Sequence, residues 1–159
     1  MMRLKRRAPA EPDAASTMTV DARELALEYA GMSPAVSLDP QLLGVALRPD
    51  EAIRRAAPTW FRVRVNGQWS EASLSQVMIT DRRLILRLGG GELASLWWGS
   101  ACGFEADLDA GHVVLDFGDG RPRLLSGEAT LLVAVAGVAQ IYGVAALATH
   151  PCLEPIRSA

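Results

Sequence analysis

From Ala129 to Thr149 the chain carries no charged side chain, and that run limits the fold more than any other feature. About twenty such residues are enough to cross a bilayer, so a transmembrane span and a buried core helix are the two ways to hide it. The run is rich in alanine, which inserts weakly, includes Gln140, Gly137 and Gly143, and lacks flanking Lys or Arg anchors. It also follows a series of strand-like segments whose apolar interior needs filling. The expected structure is one helix from Ser126 to Ala148 that plugs this interior, with Ser126 as N-cap and Glu128 in the first turn. Leu131, Val135, Val138 and Tyr142 recur at helical spacing and make its bulky face. Ala134, Gly137, Ala145 and Ala148 make a small-residue surface for the N-terminal helices or for a second subunit, so a homo-oligomer is one expectation.

From Pro49 onward the hydrophobic period is two. Phe61, Val63 and Val65 alternate with Arg62 and Arg64, which sends the apolar set to one face of a strand and the arginines to the other. Asn66-Gly67 is a tight hairpin turn, and a returning strand follows from about Trp69 to Ile79. Thr80-Asp81 is the next reversal. Leu84, Leu86 and Leu88 form another strand, broken by Gly89-Gly90-Gly91. The segment Glu92–Trp98 comes next, then Cys102–Leu108, Val113–Phe117 and Arg121–Leu125, with Asp119-Gly120 as a further turn. Short runs separated by turn signals favour an antiparallel meander over βαβ units. The expected class is mainly β (α+β): a seven-stranded antiparallel barrel or sandwich capped by a C-terminal helix, with short N-terminal helices.

Half of the residues are hydrophobic and the net charge is −2, which suits a folded domain and gives no general electrostatic case for nucleic acid. Residues 1–17 read as a tail that runs from basic (Arg3, Lys5, Arg6, Arg7) to acidic. It has no apolar stretch of signal-peptide type, so a cytoplasmic location is expected, peripheral at the inner face of the membrane if the basic residues meet anionic lipid. Residues 18–48 read as helical. Asp21 with Glu24 forms a capping box, Val20 is placed to staple onto Leu25, and Gly31 ends the first helix. A second helix starts at Asp39 with Pro40 in its first position. Residues 49–150 form the main domain and 151–159 a C-terminal tail. Cys102 and Cys152 read as reduced, buried thiols.

The residues offer little for chemistry. His112 and His150 lie in no catalytic spacing, and with Cys102 and Cys152 they match no zinc motif. Gly89-Gly90-Gly91 lacks a following Lys-Ser/Thr, and the aspartates at 107, 109, 116 and 119 lack EF-hand spacing. No catalytic residue, metal or cofactor is therefore expected. The candidate interaction residues are Arg62, Arg64, Arg83 and Arg87, whose guanidinium forks suit carboxylate or phosphate, and Trp97 and Trp98, which alternation sends to opposite faces.

Val77-Met78-Ile79-Thr80-Asp81-Arg82-Arg83-Leu84-Ile85 resembles a strand junction of the pleckstrin-homology (PH) superfold in its bacterial PH-like and GRAM-like branches. Leu93–Ser100, with its Trp97-Trp98, resembles the next strand of those domains, and Asp116–Gly127 with the alanine-rich helix resembles their closing strands. The resemblance covers residues 49–150. It implies a binding platform, although the first hairpin lacks the lysine-rich pattern of phosphoinositide-binding members: Trp69–Ser75 contains only the acidic Glu71. The expected function is non-catalytic binding or scaffolding of an unidentified protein partner, with anionic lipid binding as the alternative and enzymatic activity third. No specific nucleic-acid partner is expected.

Overall fold

The computed structural model describes residues 14–158; the basic run from Arg3 to Arg7 lies outside them. Seven strands form one antiparallel path. They are β1 (Ile53–Val65), β3 (Ser73–Thr80), β4 (Arg83–Arg87), β5 (Leu93–Trp97), β6 (Gly103–Asp107), β7 (His112–Asp116) and β8 (Arg123–Ser126). They lie in the order β5-β4-β3-β1-β8-β7-β6, and β2 (Gln68–Trp69) extends the first hairpin. The path does not close into a barrel, so β5 and β6 are edge strands. At the hairpin tip Asn66 and Gly67 take φ of 52° and 75°, the two left-handed residues of the predicted turn. The long β1 pairs with β3 through Phe61 and with β8 from Trp60 to Val63, and so joins the two halves of the sheet.

The inner face of the sheet carries Phe61, Val77, Ile79, Leu84, Leu86, Val113, Leu115 and Leu125, all buried against helix α3 (Thr130–Ile141). The outer side of α3 is covered in turn by α1 (Ala14–Tyr29) through Ala22 and Leu25. A helix enclosed on both sides must be apolar all round, which explains the uncharged run. Each fully buried Leu or Val on it contributes roughly 1.5–3 kcal/mol.

The helix is shorter than the sequence suggests. Ser126 belongs to β8, paired with Trp60 and His112, so its backbone serves the sheet ladder and it is no N-cap. The chain turns at Gly127 (φ 103°), and the Thr130 hydroxyl donates back to the Gly127 carbonyl at 2.6 Å. At the far end Gly143 takes φ 96° and ψ 158°, which stops α3, and residues 144–148 form a separate 3-10 turn. Among the described residues no helix is long and apolar enough to cross a membrane. Of the expected bulky face, Val135 and Val138 are buried whereas Tyr142 is exposed. Of the small-residue surface, Ala134 and Gly137 are covered by the chain itself, and Ala145 and Ala148 are exposed. Gly137 is required by a close approach: a Cβ there would sit 2.4 Å from Cε2 of Phe104.

The N-terminal region corrects a second expectation. Asp21 is not an N-cap but lies inside α1, which starts at Ala14, and Val20 is exposed and staples nothing. The capping pattern is local, whereas the carboxylate of Asp21 is taken by a distant arginine, Arg55. The predicted stop holds: Gly31 (φ 72°) donates to Glu28 and Met32 donates to Leu27, closing a Schellman motif. Helix α2 (Pro40–Leu43) begins as expected, with the Asp39 carboxylate accepting from the Gln41 N–H at 2.9 Å. Leu38, Leu43, Val45 and Leu47 then lie over Ile53, Met78 and Ile85, covering the outer face of the β3-β4 half of the sheet. A last short helix, α4 (Glu154–Arg157), buries Ile156. Of the two thiols, Cys152 is half-buried, and burial pushes its pKa up, but Cys102 is exposed, contrary to expectation.

Candidate functional site

Arg55, Arg83 and Arg87 hold neighbouring segments of the chain to the sheet. Arg55, on the inner face of β1, pairs with Asp21 at 2.8 Å and with Glu28, two carboxylates two turns apart on one side of α1. Burial alone would raise the Glu28 pKa, but hydrogen bonds from Arg55 and the Val36 N–H and the attraction of Arg55 and Arg54 outweigh it and hold the carboxyl below the usual range. Arg83 donates from Nε and Nη2 to the buried Glu51, both at 2.9 Å, and reaches Ser95 and the Ala46 carbonyl. Burial would raise the Glu51 pKa as well. The bonds from Arg83, Thr80 and the Arg48 N–H reverse it to a net lowering. Arg87 donates to the carbonyls of Leu43 and Gly44 at 2.5 and 3.3 Å.

The backbone contacts of Arg83 and Arg87 have one cause. Residues 43–48 cross the sheet without joining its ladder, so their carbonyls need donors, and a guanidinium fork supplies several at once. Arg83 and Arg87 therefore serve the fold. Trp98 is buried, with its indole N–H directed at the Thr80 carbonyl at 3.4 Å. Trp97 is half-buried on the other face, under the guanidinium groups of Arg83 and Arg48 at 4.5 and 4.8 Å from its ring centroid.

Arg62 and Arg64 stand apart from that group. Gln76 lies opposite both Pro58 and Arg87, so Arg62 is four residues along β1 from the Arg87 row, roughly 13 Å. Arg62 donates to the Ser70 carbonyl at 3.4 Å, and the Arg64 guanidinium lies 5.9 Å from the Trp69 ring centroid. Alternation places Trp60 on their face, and Leu74 opposite Trp60 shares it. Trp60 is 46% exposed and Leu74 57%. With Pro58, Ser126, Gly127 and Glu128 they line a groove of about 300 Å³. A second depression of about 350 Å³ on the same face is lined by Arg64, Glu105, Val114 and Asp116.

The outer face of the sheet is thus divided. Among the described residues, 38–47 cover the β3-β4 half, and the β1-β8-β7-β6 half is left bare and carries an exposed tryptophan, a leucine and two arginines without ion-pair partners. Trp60 and Leu74 were not among the residues singled out from sequence. The signal for Trp60 was present, since extending the Arg64-Arg62 alternation by one step reaches it. Leu74 needed the β1-β3 register. Among the described residues no cluster of three or more His, Cys, Asp and Glu side chains is arranged to hold a metal ion.

The fold and this surface define an α+β protein with an open antiparallel sheet, a buried closing helix and one uncovered sheet face. No family model matches the sequence, and no curated protein matches it. Among solved structures, the chain is similar to the C-terminal domain of an unknown protein from Leishmania infantum. The TM-score is 0.42 and the identity 13%, over 65% of this chain and 90% of that one.

Proposed function

We propose that this chain is a non-catalytic, PH-like binding module of the cytoplasm that captures a protein partner on the bare outer face of β1, β8, β7 and β6. The observation that carries the reading is the joint exposure of Trp60 and Leu74 beside Arg62 and Arg64. Tryptophan and arginine are enriched among the residues that dominate binding energy at protein interfaces, and these two arginines form no ion pair among the described residues. Seven antiparallel strands followed by one buried helix is the element order that the PH resemblance implies, which supports a binding platform over an enzyme.

The test is selection of a random peptide display library on the immobilised full chain. Peptides that combine apolar residues with a carboxylate should be enriched, and Trp60→Ala or Arg62→Gln should abolish their capture while leaving the melting temperature unchanged. No enrichment above background, or capture indifferent to both substitutions, would sink the reading.

A second reading, peripheral binding to anionic lipid, is favoured by the tip of the first hairpin, where Val65 is exposed next to Arg64 and Trp69. It predicts salt-sensitive flotation with phosphatidylserine vesicles that Arg64→Gln weakens. Absence of flotation at low salt would remove it.

A further inference from the structure

We infer that the bare outer face pairs with the same face of a second copy of this chain; the inference rests on the assignment of that face as the binding surface and names its partner. Arg62 lies opposite Leu124, Leu124 opposite Val114, and Val114 opposite Glu105. Residues directly opposite share a face, so one row runs Glu105, Val114, Leu124, Arg62 across β6, β7, β8 and β1. The neighbouring row runs Asp107, His112, Ser126, Trp60. On the other side of the first row, Asp116 on β7 and Arg64 on β1 line one depression. The face is therefore acidic along β6 and β7, apolar in the middle, and basic along β1.

Along the first row the two charged ends do not meet within one molecule. Glu105 and Arg62 are three strand spacings apart, roughly 14 Å, which exceeds the screening length at physiological salt. Neither forms an ion pair among the described residues.

A two-fold axis in the plane of the face, parallel to the strands and between β7 and β8, reverses the order of the strands and keeps each row in line. It lays Glu105 over Arg62 of the second copy, and Arg62 over Glu105 of the second copy. Val114 and Leu124 exchange places in the centre, and Arg64 comes within one strand spacing of Asp116 of the second copy. The same patch serves both molecules and the contact closes, as an isologous dimer requires. Four strands by five residues give roughly 300 Å² per copy. That belongs to the small, transient class of interfaces, so a weak and reversible dimer is expected.

The test is sedimentation equilibrium of the full chain from about 10 μM to about 1 mM, a range suited to a weak interface. The expected result is a monomer–dimer equilibrium that weakens as salt is added. Arg62→Glu and Glu105→Arg should each raise the dissociation constant about tenfold, because each reverses two symmetry-related pairs. The double variant should return it to within about threefold of the natural chain by restoring both pairs. A natural chain that stays monomeric throughout, a dimer indifferent to Arg62→Glu, or a double variant without recovery would each overturn the inference. If either reversal fails to fold, the neutral variants Arg62→Gln and Glu105→Gln decide the question through loss of the salt dependence. Monomeric behaviour with peptide capture intact would leave the proposed binding function standing and remove only the second copy as its partner; loss of both would remove both.

Discussion

Replacing Arg55 by methionine tests the clamp that holds α1 to the sheet. Arg55 is 8% exposed and the Glu28 side chain 4%, so methionine keeps most of the aliphatic packing but leaves a carboxylate buried without its countercharge. Asp21, with its side chain 43% exposed, can turn to water; Glu28 keeps only the Val36 N–H at 2.7 Å. Orphaning a buried charge costs about 3–5 kcal/mol. For a domain of this length each kcal/mol lowers the melting temperature by about 2–4 °C, so thermal denaturation at pH 7 should show a drop of about 10 °C. Adding Glu28→Leu removes the stranded charge and should recover most of the loss. The pH dependence gives a second check. The folded-state pKa of Glu28 lies below its ordinary value. Its contribution is therefore fully present above the ordinary glutamate pKa and is lost as pH falls through the depressed folded value. Without Arg55, burial is opposed only by the Val36 N–H and the attraction of Arg54, so the protonated acid is favoured more than in the natural chain and the gap between Arg55→Met and the natural chain should narrow in acid. A variant that melts within about 2 °C of the natural chain at pH 7, or a gap that stays constant into acid, would refute the reasoning.

Two further substitutions probe the interior. The Tyr29 hydroxyl faces Gln140 but has no partner in hydrogen-bonding geometry among the described residues, and burial pushes its pKa up to about 12. The folded pKa lies above the ordinary one, so the stability linked to it is complete below pH ~10 and is lost as pH rises through the folded value. Tyrosinate absorbance should show an ionisation near 12 that disappears in Tyr29→Phe, and that variant should be at least as stable at neutral pH; a loss above about 1 kcal/mol would mean the hydroxyl is bonded after all. Gly137→Ala gains about 1 kcal/mol of helix propensity but forces the Phe104 ring to move, at about 1–3 kcal/mol. Urea denaturation should show net destabilisation that vanishes in a Phe104→Leu background; a more stable Gly137→Ala would show that the ring is free to shift.

Where a pattern is local, the residues alone specify the structure. Period-two alternation marks the strands, Asn66-Gly67 turns the first hairpin, Asp39-Pro40 starts α2 and Gly31 ends α1, because each depends on backbone torsion angles within a few residues. The patterns that misled were also local. Asp21 with Glu24 has the form of a helix start, but the Ala- and Thr-containing residues before it continue the helix, and Arg55, thirty-four positions away, claims the carboxylate. The uncharged run suggested a helix through Ala148, but its length was set by Gly143.

The uncharged run shows the division most clearly. Its composition by itself determined that the segment had to be hidden from water, and from the strand pattern that it would fill the interior of an antiparallel sheet. Only the tertiary structure decided that α1 covers its other side, that Phe104 occupies the space above Gly137, and that Arg83 and Arg87 are consumed by backbone carbonyls while Arg62 and Arg64 are left on a bare face with Trp60. Burial of an apolar segment depends on what the segment is made of, but the use of an arginine depends on which acceptors the rest of the chain brings within reach of its five N–H groups, and those come from residues distant in sequence.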